Sequence, residues 1–509
     1  MNTMRFPSVR TDGLTLILGL GETGVAAALW CAQHGAHLRV LDTRREPGGL
    51  AALRESLDDA RVAYHLGADA FRPEALDGVH TIVISPGLSP DQEPVKSLLA
   101  VALERGIDVL GEVELFARAL ADMAQQGYQP RLLAVTGTNG KTTVTAMTRH
   151  LAQAAGLTAR AAGNISPAAL SALSDALAHE QLPDVWILEL SSFQLDAIHS
   201  LVPDAAVVLN ISQDHLDWHG SMQAYAAAKA RLLSMARIAV VNRDDPVVSG
   251  MVATLASPDV RSFGRDMPAM EGDVGLETNN GITWLVGADP LDLDQPVVSA
   301  RRKKAVTEPV RPAGRALRLM PIDALRVRGQ HNALNALAAM ALGRSLGWGW
   351  AGMLHALRDY GGEPHRTEFV RTIAGVDFVN DSKGTNVGAT VAALQGMGRP
   401  VVLIAGGLGK GQDFTPLGAA VREHARAVVL IGQDAELIAG ALTSSAVPVQ
   451  HASSMAEAVS RALALAGPGD TVLLSPACAS MDMFRNYGHR GQCFVDEVTE
   501  LALDHGEVA

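Results

Sequence analysis

Only three cysteines occur in 509 residues, Cys31, Cys478 and Cys493, and their spacing neither closes a disulfide framework nor sets out metal ligands. They read as reduced thiols of a cytoplasmic protein. No run of roughly 18 apolar residues is present, so no transmembrane helix is expected. The first ten residues lack the apolar core of a signal peptide. Positive charge is also short: 42 Lys and Arg stand against 54 Asp and Glu, a formal net charge of -12. That balance speaks against nucleic acid as a principal partner. The one basic run, Arg301 to Lys304, lies in a proline-containing stretch and reads as a solvated loop. No repeat of solenoid period interrupts the chain.

What is present is ordinary globular composition, 48% hydrophobic and 19% charged. Such a length is too great for one core and suits about three domains of roughly 150 residues. Short apolar strands alternate with helical patterns, which predicts an α/β class with parallel sheets covered by helices. The first unit opens with a strand from Leu14 to Leu20, a helix from Thr23 to His34 and a strand from Leu38 to Asp42; Thr81 to Ser85 is a later strand. A polar stretch, 125–130, separates it from a second strand-loop-helix start at Leu132. Further strands are expected from Val185 to Leu190, Ala205 to Leu209 and Ile238 to Asn242, with a helix around Tyr225 to Met235. Between 264 and 321 Pro, Gly and Asp multiply, and the stretch reads either as a β-rich excursion with a long insertion or as a partly disordered loop. Helices resume from His331 to Leu346 and from Ala351 to Asp359. The last unit opens at Gly361-Gly362 and carries strands from Val401 to Ala405, Val428 to Ile431 and Thr471 to Leu474. These boundaries give domains 1–128, 129–361 and 362–509.

Two glycine-rich loops carry the chemistry. Thr136-Gly137-Thr138-Asn139-Gly140-Lys141-Thr142-Thr143 follows a strand from Leu132 to Val135 and precedes a helical run from Val144 to Ala155. A helix start leaves backbone N–H groups unpaired and carries positive dipole, and glycines let the backbone close on phosphate oxygens. Lys141 would supply a point charge and Thr142 a hydroxyl for Mg²⁺. Val135 occupies the place of the usual first glycine, so the loop is shorter than the generic phosphate loop. The second loop, Gly19-Leu20-Gly21-Glu22-Thr23-Gly24, satisfies the dinucleotide fingerprint, with Asp42 ending the next strand. Alone it would suggest NAD or FAD, or a tight helix–strand contact without ligand.

Other polar groups sit just beyond strands. Glu189 closes an apolar strand, where a nucleotide enzyme holds Mg²⁺, although a structural salt bridge would also account for it. His215, in Asn210 to Asp217, could ligate a metal or bond a substrate; taken alone it reads as a solvated loop histidine. Lys229 lies in an alanine-rich helix and by itself reads as a surface lysine.

Together the 136–143 loop, Glu189-Leu190-Ser191-Ser192, Asn210 to Asp217, Gly329-Gln330-His331-Asn332 and Asn380-Asp381-Ser382-Lys383 resemble the Mur ligase family over nearly the whole chain. The 19–24 loop, Ser85-Pro86-Gly87 and the 475–480 sequence are similar to members that add D-glutamate. No Asp-Asn-Pro-Arg sequence of the diaminopimelate- or lysine-adding relatives is found. The shortened phosphate loop is the family's usual form.

The resemblance implies an N-terminal Rossmann-like UDP-binding domain, a central P-loop ATPase-like domain and a C-terminal Rossmann-like domain. It implies an ATP-dependent ligase that joins D-glutamate to UDP-N-acetylmuramoyl-L-alanine through an acyl-phosphate, releasing ADP and phosphate. Such an enzyme would serve cytoplasmic peptidoglycan precursor synthesis as a monomer, with neither nucleic acid nor membrane insertion. By the same resemblance Gly21, Glu22, Thr23, Asp42, Thr43, Gly87, Asn164 and His215 would face the UDP precursor. Gly137, Thr138, Asn139, Gly140, Lys141, Thr142, Thr143, Asn332, Asn335, Arg366 and Asp381 would face ATP. Thr142, Glu189, His215 and a carbamylated Lys229 would hold a pair of Mg²⁺ ions, with Lys141, Glu189, His215 and Lys229 catalytic. Thr385, Lys410, Ser480 and Tyr487 would form the D-glutamate pocket, Tyr487 standing where the family often has phenylalanine. The rival readings are a folylpolyglutamate synthetase-like ligase, an NAD-dependent oxidoreductase resting on the first loop, and a nucleotide sensor without catalysis.

Overall fold

The computed structural model describes residues 4–58, 61–255, 259–291, 311–327 and 329–506. Three sheets of five, nine and six strands follow one another along the chain. Across the first the order is Val62–Leu66, His37–Asp42, Leu14–Leu18, Val79–Ile84, Asp108–Gly111, all parallel. Its central strands are buried along nearly their whole length, as parallel strands covered on both faces must be, and so read as unbroken apolar runs. The order reverses between Leu14–Leu18 and Val79–Ile84, so the loops leaving their carboxyl ends part and open a crevice.

The second sheet repeats this logic around Arg131–Thr136, which lies between Val185–Glu189 and Ala205–Val208. Parallel pairing continues outward through Ile238–Asn242 and Asp259–Phe263 to the edge of Val274–Asn279. Antiparallel strands Ile282–Pro290 and Gly314–Pro321 then extend it, so the ambiguous 264–321 stretch is a β-rich excursion over its described residues. Trp350, which opens helix Trp350–Asp359, closes this excursion. Its ring leaves no room for a side chain at Gly287, its Nε1 donates to Asp289, and Arg344 stacks 4.4 Å above it while pairing with the same carboxylate. Residues 292–310, including the basic run Arg301 to Lys304, lie outside the described residues.

The third sheet runs Glu368–Ile373, Val376–Asn380, Thr471–Leu474, Val401–Gly406, Ala425–Ile431, Val449–His451. Only its first pair is antiparallel. That hairpin escaped the sequence reading because Glu368–Ile373 mixes polar and apolar residues and is half-buried at an edge.

One cluster of buried side chains crosses from the first unit into the second. Trp30 and Phe116 on one side join Leu170, Leu173 and Trp186 on the other, with the Phe116 and Trp186 rings edge-to-face at 5.2 Å. The two clusters flanking the third sheet contain only residues between 373 and 502. Among the described residues no helix is long and apolar enough to cross a membrane.

Candidate active site

Helix Lys141–Ala154 begins directly at the phosphate loop, and no side chain caps its first turn. Gly140 precedes it at φ 85°, a left-handed conformation that favours glycine, and a Cβ there would lie 2.6 Å from Asn335 Oδ1. The loop is held from the next strand's end: Asn210 accepts from the N–H of Thr138 and, through its side chain, from that of Asn139. Lys141 curls over the loop, its Nζ donating to the carbonyls of Gly137 (3.0 Å) and Thr138 (2.7 Å). Burial lowers its pKa, with Glu189 and Asp214 opposing. Open helix N–H groups, a lysine and the hydroxyl of Thr142 around one cavity form an anion cradle.

Glu189 ends its strand at 2% exposure. Oε1 accepts from Asn164 Nδ2 at 3.0 Å, whereas the buried Oε2 has no hydrogen-bond partner. A carboxylate oxygen buried without a donor fits a cation rather than a structural salt bridge. His215 sits at φ 54°, its Nε2 3.5 Å from Asp214 Oδ2 and its ring against Phe193. Burial lowers the His215 pKa against the pull of Asp214, which favours the neutral, ligating form. Among the described residues no three His, Cys, Asp or Glu groups converge as a self-sufficient metal cage. An ion here would complete its shell with phosphate oxygens and water, the ordinary manner of Mg²⁺.

Lys229 corrects the sequence reading. It is not a surface lysine but is 1% exposed, on the inward face of helix Met222–Met235 with Tyr225, Ala228, Leu232 and Leu233. Nζ donates to Gly137 O at 3.0 Å, lies 3.5 Å from Thr136 Oγ1, and stands 4.7 Å over the Tyr225 ring. Burial first, then Lys141, lowers its pKa well below the usual lysine value. The alanines that suggested an exposed helix let this one pack closely, so that the lysine stem reaches the back of the loop.

Across the cavity, of about 680 Å³, stand loops of the third sheet. They bring Thr385, Lys410, Ser480 and Tyr487 opposite Thr138 to Thr142, Glu189 and His215. Three further residues of this wall were not singled out from the sequence: Lys383, Asn386 and Gln412. Lys383 Nζ lies 3.7 Å over the Tyr487 ring, and burial, with Arg366 nearby, brings its pKa down to about 8. It stands in the Asn380-Asp381-Ser382-Lys383 motif but reads as any lysine until the fold aims it.

A neighbouring cavity of about 360 Å³ is lined by Thr143, Asn332, Asn335, Arg366 and Asp381 together with Asn139 and Gly140. Asn335 donates to Asn332 at 3.2 Å. Asp381 accepts from Ser475 Oγ at 2.7 Å and from the Thr367 N–H at 3.2 Å, and burial pushes its pKa up to about 6.

The crevice of the first sheet gathers Gly21, Glu22, Thr23, Asp42, Thr43, Gly87 and Asn164 around about 530 Å³. At Gly24 a Cβ would lie 1.9 Å from Gly19 O, so glycine is required for helix and strand to touch. Asp42 is already engaged. It accepts from the Leu20 N–H at 2.8 Å and pairs with Arg44 at 2.7 Å; burial would raise its pKa, but these partners hold it below the usual value. Its carboxylate thus braces the loop. His215 does not line this crevice but the larger cavity, which meets it at Asn164.

Comparison with known proteins agrees along the chain. Residues 14–111 match the Mur ligase MurD-like N-terminal domain, 135–290 the Mur ligase middle domain and 365–478 the Mur ligase glutamate ligase domain. UDP-N-acetylmuramoylalanine–D-glutamate ligase of Bordetella avium is 66% identical over 97% of both chains. That of Burkholderia mallei is 53% identical over 98% of this chain and 99% of its own. Among solved structures, the MurF ligase of Thermotoga maritima in complex with ADP covers 98% of both chains at 15% identity and TM-score 0.57. UDP-N-acetylmuramate-alanine ligase of the same organism covers 96% of this chain and 99% of its own at 19% identity and TM-score 0.54. At those identities the structures speak for the fold alone.

Proposed function

The chain belongs to the Mur ligase family, and from that premise we propose how its residues divide the work of an ATP-dependent, ADP-forming ligase. It adds D-glutamate to UDP-N-acetylmuramoyl-L-alanine in peptidoglycan precursor synthesis, as its relatives' names describe. The reading is supported above all by the cavity that faces the phosphate loop and Glu189 toward Lys410, Ser480 and Tyr487. Among the described residues, that cavity sets groups suited to a nucleotide, a carboxylate and an amine around one space.

A carboxylate is a poor electrophile, and transfer of the ATP γ-phosphoryl group turns it into an acyl-phosphate with a good leaving group. This transfer needs positioning and charge neutralisation rather than a protein nucleophile. In our reading the loop 137–143 cradles the phosphates, with Lys141 released from its two carbonyls to meet them. Asn332, Asn335, Arg366 and Asp381 hold the base and ribose. Gly21, Glu22, Thr23, Thr43, Gly87 and Asn164 hold the UDP precursor, with Asp42 bracing them, and His215 meets the precursor's reacting end. A pair of Mg²⁺ ions, when bound, supplies charge neutralisation at the transferring phosphoryl group. Thr142, Glu189, His215 and the carbamate of Lys229 would hold them. Lys229 suits carbamylation because burial lowers its pKa and so favours the neutral amine: R–NH₂ and CO₂ give R–NH–COO⁻ and a proton. Lys410, Lys383, Thr385 and Ser480 pair the two carboxylates of D-glutamate, and Tyr487 walls its stem. Its amine attacks the acyl-phosphate, phosphate leaves, and an amide remains.

Domains 1–128, 129–361 and 362–509 accordingly bind precursor, ATP and amino acid in turn, in a cytoplasmic monomer. The test is phosphate release with ATP, UDP-N-acetylmuramoyl-L-alanine and single amino acids. Release should require D-glutamate and fall steeply with L-glutamate or D-glutamine, because either leaves pocket cations or carboxylates unpaired. Equal rates with D-glutamine would overturn the pocket assignment.

A further inference from the structure

Arg490, on helix Tyr487–Asp504, is 0% exposed, yet it forms no ion pair with a carboxylate among the described residues. Its guanidinium is satisfied by neutral oxygens. Nε donates to Ser382 Oγ at 3.0 Å, Nη2 to Ser382 O at 2.8 Å and Nη1 to Cys478 O at 3.0 Å. Ser382 Oγ in turn donates to Tyr487 O at 2.8 Å. Burial is costly enough to bring the Arg490 pKa down to about 10. Asp482 and Asp381 act on this charge without hydrogen-bonding it, and burying a cation on neutral acceptors alone is a poor way to stabilise a fold. The arrangement is therefore to be explained by what it joins.

It joins three pieces of the amino-acid wall. Ser382 immediately precedes Lys383, Cys478 stands two residues before Ser480, and Tyr487 closes the same cavity. Arg490 itself does not line that cavity. Asp381, on the nucleotide side of the same loop, takes its hydrogen bonds from Ser475 and the Thr367 N–H rather than from Arg490, whose charge acts on it only at longer range. We propose that Arg490 is a positioning residue for the amino-acid substrate: its planar fork fixes the spacing between the Lys383, Ser480 and Tyr487 walls. A lysine would keep the charge but could not span both loops. The proposal rests on the reading that the acidic amino acid binds on this wall.

Arg490→Lys and Ser382→Ala test it in the full-length enzyme, by steady-state kinetics in each substrate and by thermal melting. For Arg490→Lys the KM for D-glutamate should rise about tenfold or more, with KM for ATP and for the UDP precursor within about threefold of wild type. Ser382→Ala, which keeps the guanidinium and loses one bond at each end of the serine, should raise the same KM by a smaller factor. Should Arg490→Lys fail to fold, Ser382→Ala decides alone. Unchanged KM for D-glutamate would overturn the proposal. So would an equal rise in all three KM values with a lowered melting temperature, which is what a merely structural arginine would give. Wild-type phosphate release that does not depend on D-glutamate would instead overturn the underlying reading.

Discussion

The seam between the first and second sheets and the seam between the second and third are built from opposite materials. The first is dry. It shares one apolar cluster and is strapped by two carboxylates from helix Glu112–Ala124. Glu114 accepts from the N–H groups of His199 and Ser200, from Ser200 Oγ and from Arg118 Nε, and Glu112 accepts from the Leu170 N–H. The second seam is polar. Asn139 and Asn386 exchange side-chain hydrogen bonds at 3.0 and 3.3 Å, Asn386 lies 3.4 Å from Asp214, and Thr367 meets His331 at 3.4 Å. The contrast teaches a division of labour: the crevice proposed for the precursor lies beside a seam packed by apolar side chains, while the cavities proposed for ATP and the amino acid lie across a polar seam, the kind along which domains close on ligands.

The largest expected effect falls on the chemistry at the polar seam. Lys229→Ala should fold and lose at least about a hundredfold in rate, since on the proposed reading it removes the carbamate that would face the metal. Acetate should partly restore activity by filling the place of the carbamate, and Lys229→Arg should not. A fully active Lys229→Ala enzyme would remove the carbamate from the mechanism.

Breaking the dry seam should show in stability instead. Glu114→Ala removes the buried acceptor shared by the His199 and Ser200 N–H groups, the Ser200 hydroxyl and Arg118, and should cost about 2 kcal/mol in denaturant unfolding. A change below about 0.5 kcal/mol would mean the strap is ornamental.

Glu112 sharpens the same point through pH. Burial raises its pKa to about 7 from an ordinary 4.5, the Leu170 N–H opposing. A carboxyl raised in the folded state stabilises fully below its unfolded pKa and loses that contribution as pH rises through the folded one. Wild-type stability should therefore fall between about pH 4.5 and 7 from this group. Glu112→Gln keeps an acceptor for Leu170, should match wild type at pH 4.5, and should exceed it by roughly 1–3 kcal/mol at pH 8. Equal stability at pH 8 would show that the group is not buried as described.

The smallest effect is expected at Asn386, which also caps helix Val387–Gly396. Asn386→Ala should cost about 1 kcal/mol, chiefly for the cap, while lowering the rate several-fold by loosening the closed arrangement. A loss as large as that of Glu114→Ala would erase the difference between the seams.

Much of this was legible in the sequence, and the failures follow the seams. Strands such as Ile238–Asn242 and Thr471–Leu474 were bounded to the residue because parallel strands buried on both faces are plain apolar runs. The phosphate loop was legible because its glycines and lysine answer to backbone geometry within one segment. Lys383 and Arg490 were not, and Lys229 was legible only through the family resemblance, because their roles arise between segments far apart in the chain. Composition says only that a lysine in an alanine-rich helix is soluble; packing decides that it is buried. The dry seam was equally hidden, since nothing in Phe116 or Trp186 announces that they meet each other.

The contrast between the seams is tested most directly by distances between paired spin labels. The exposed sites are Glu104 in the first domain, Gln153 in the second and Glu436 in the third. They would be measured with and without a non-hydrolysable ATP analogue and the UDP precursor. The account predicts an unchanged 104–153 distance and a 153–436 distance that shortens or narrows on binding. A 104–153 distance that moves while 153–436 stays fixed would contradict it.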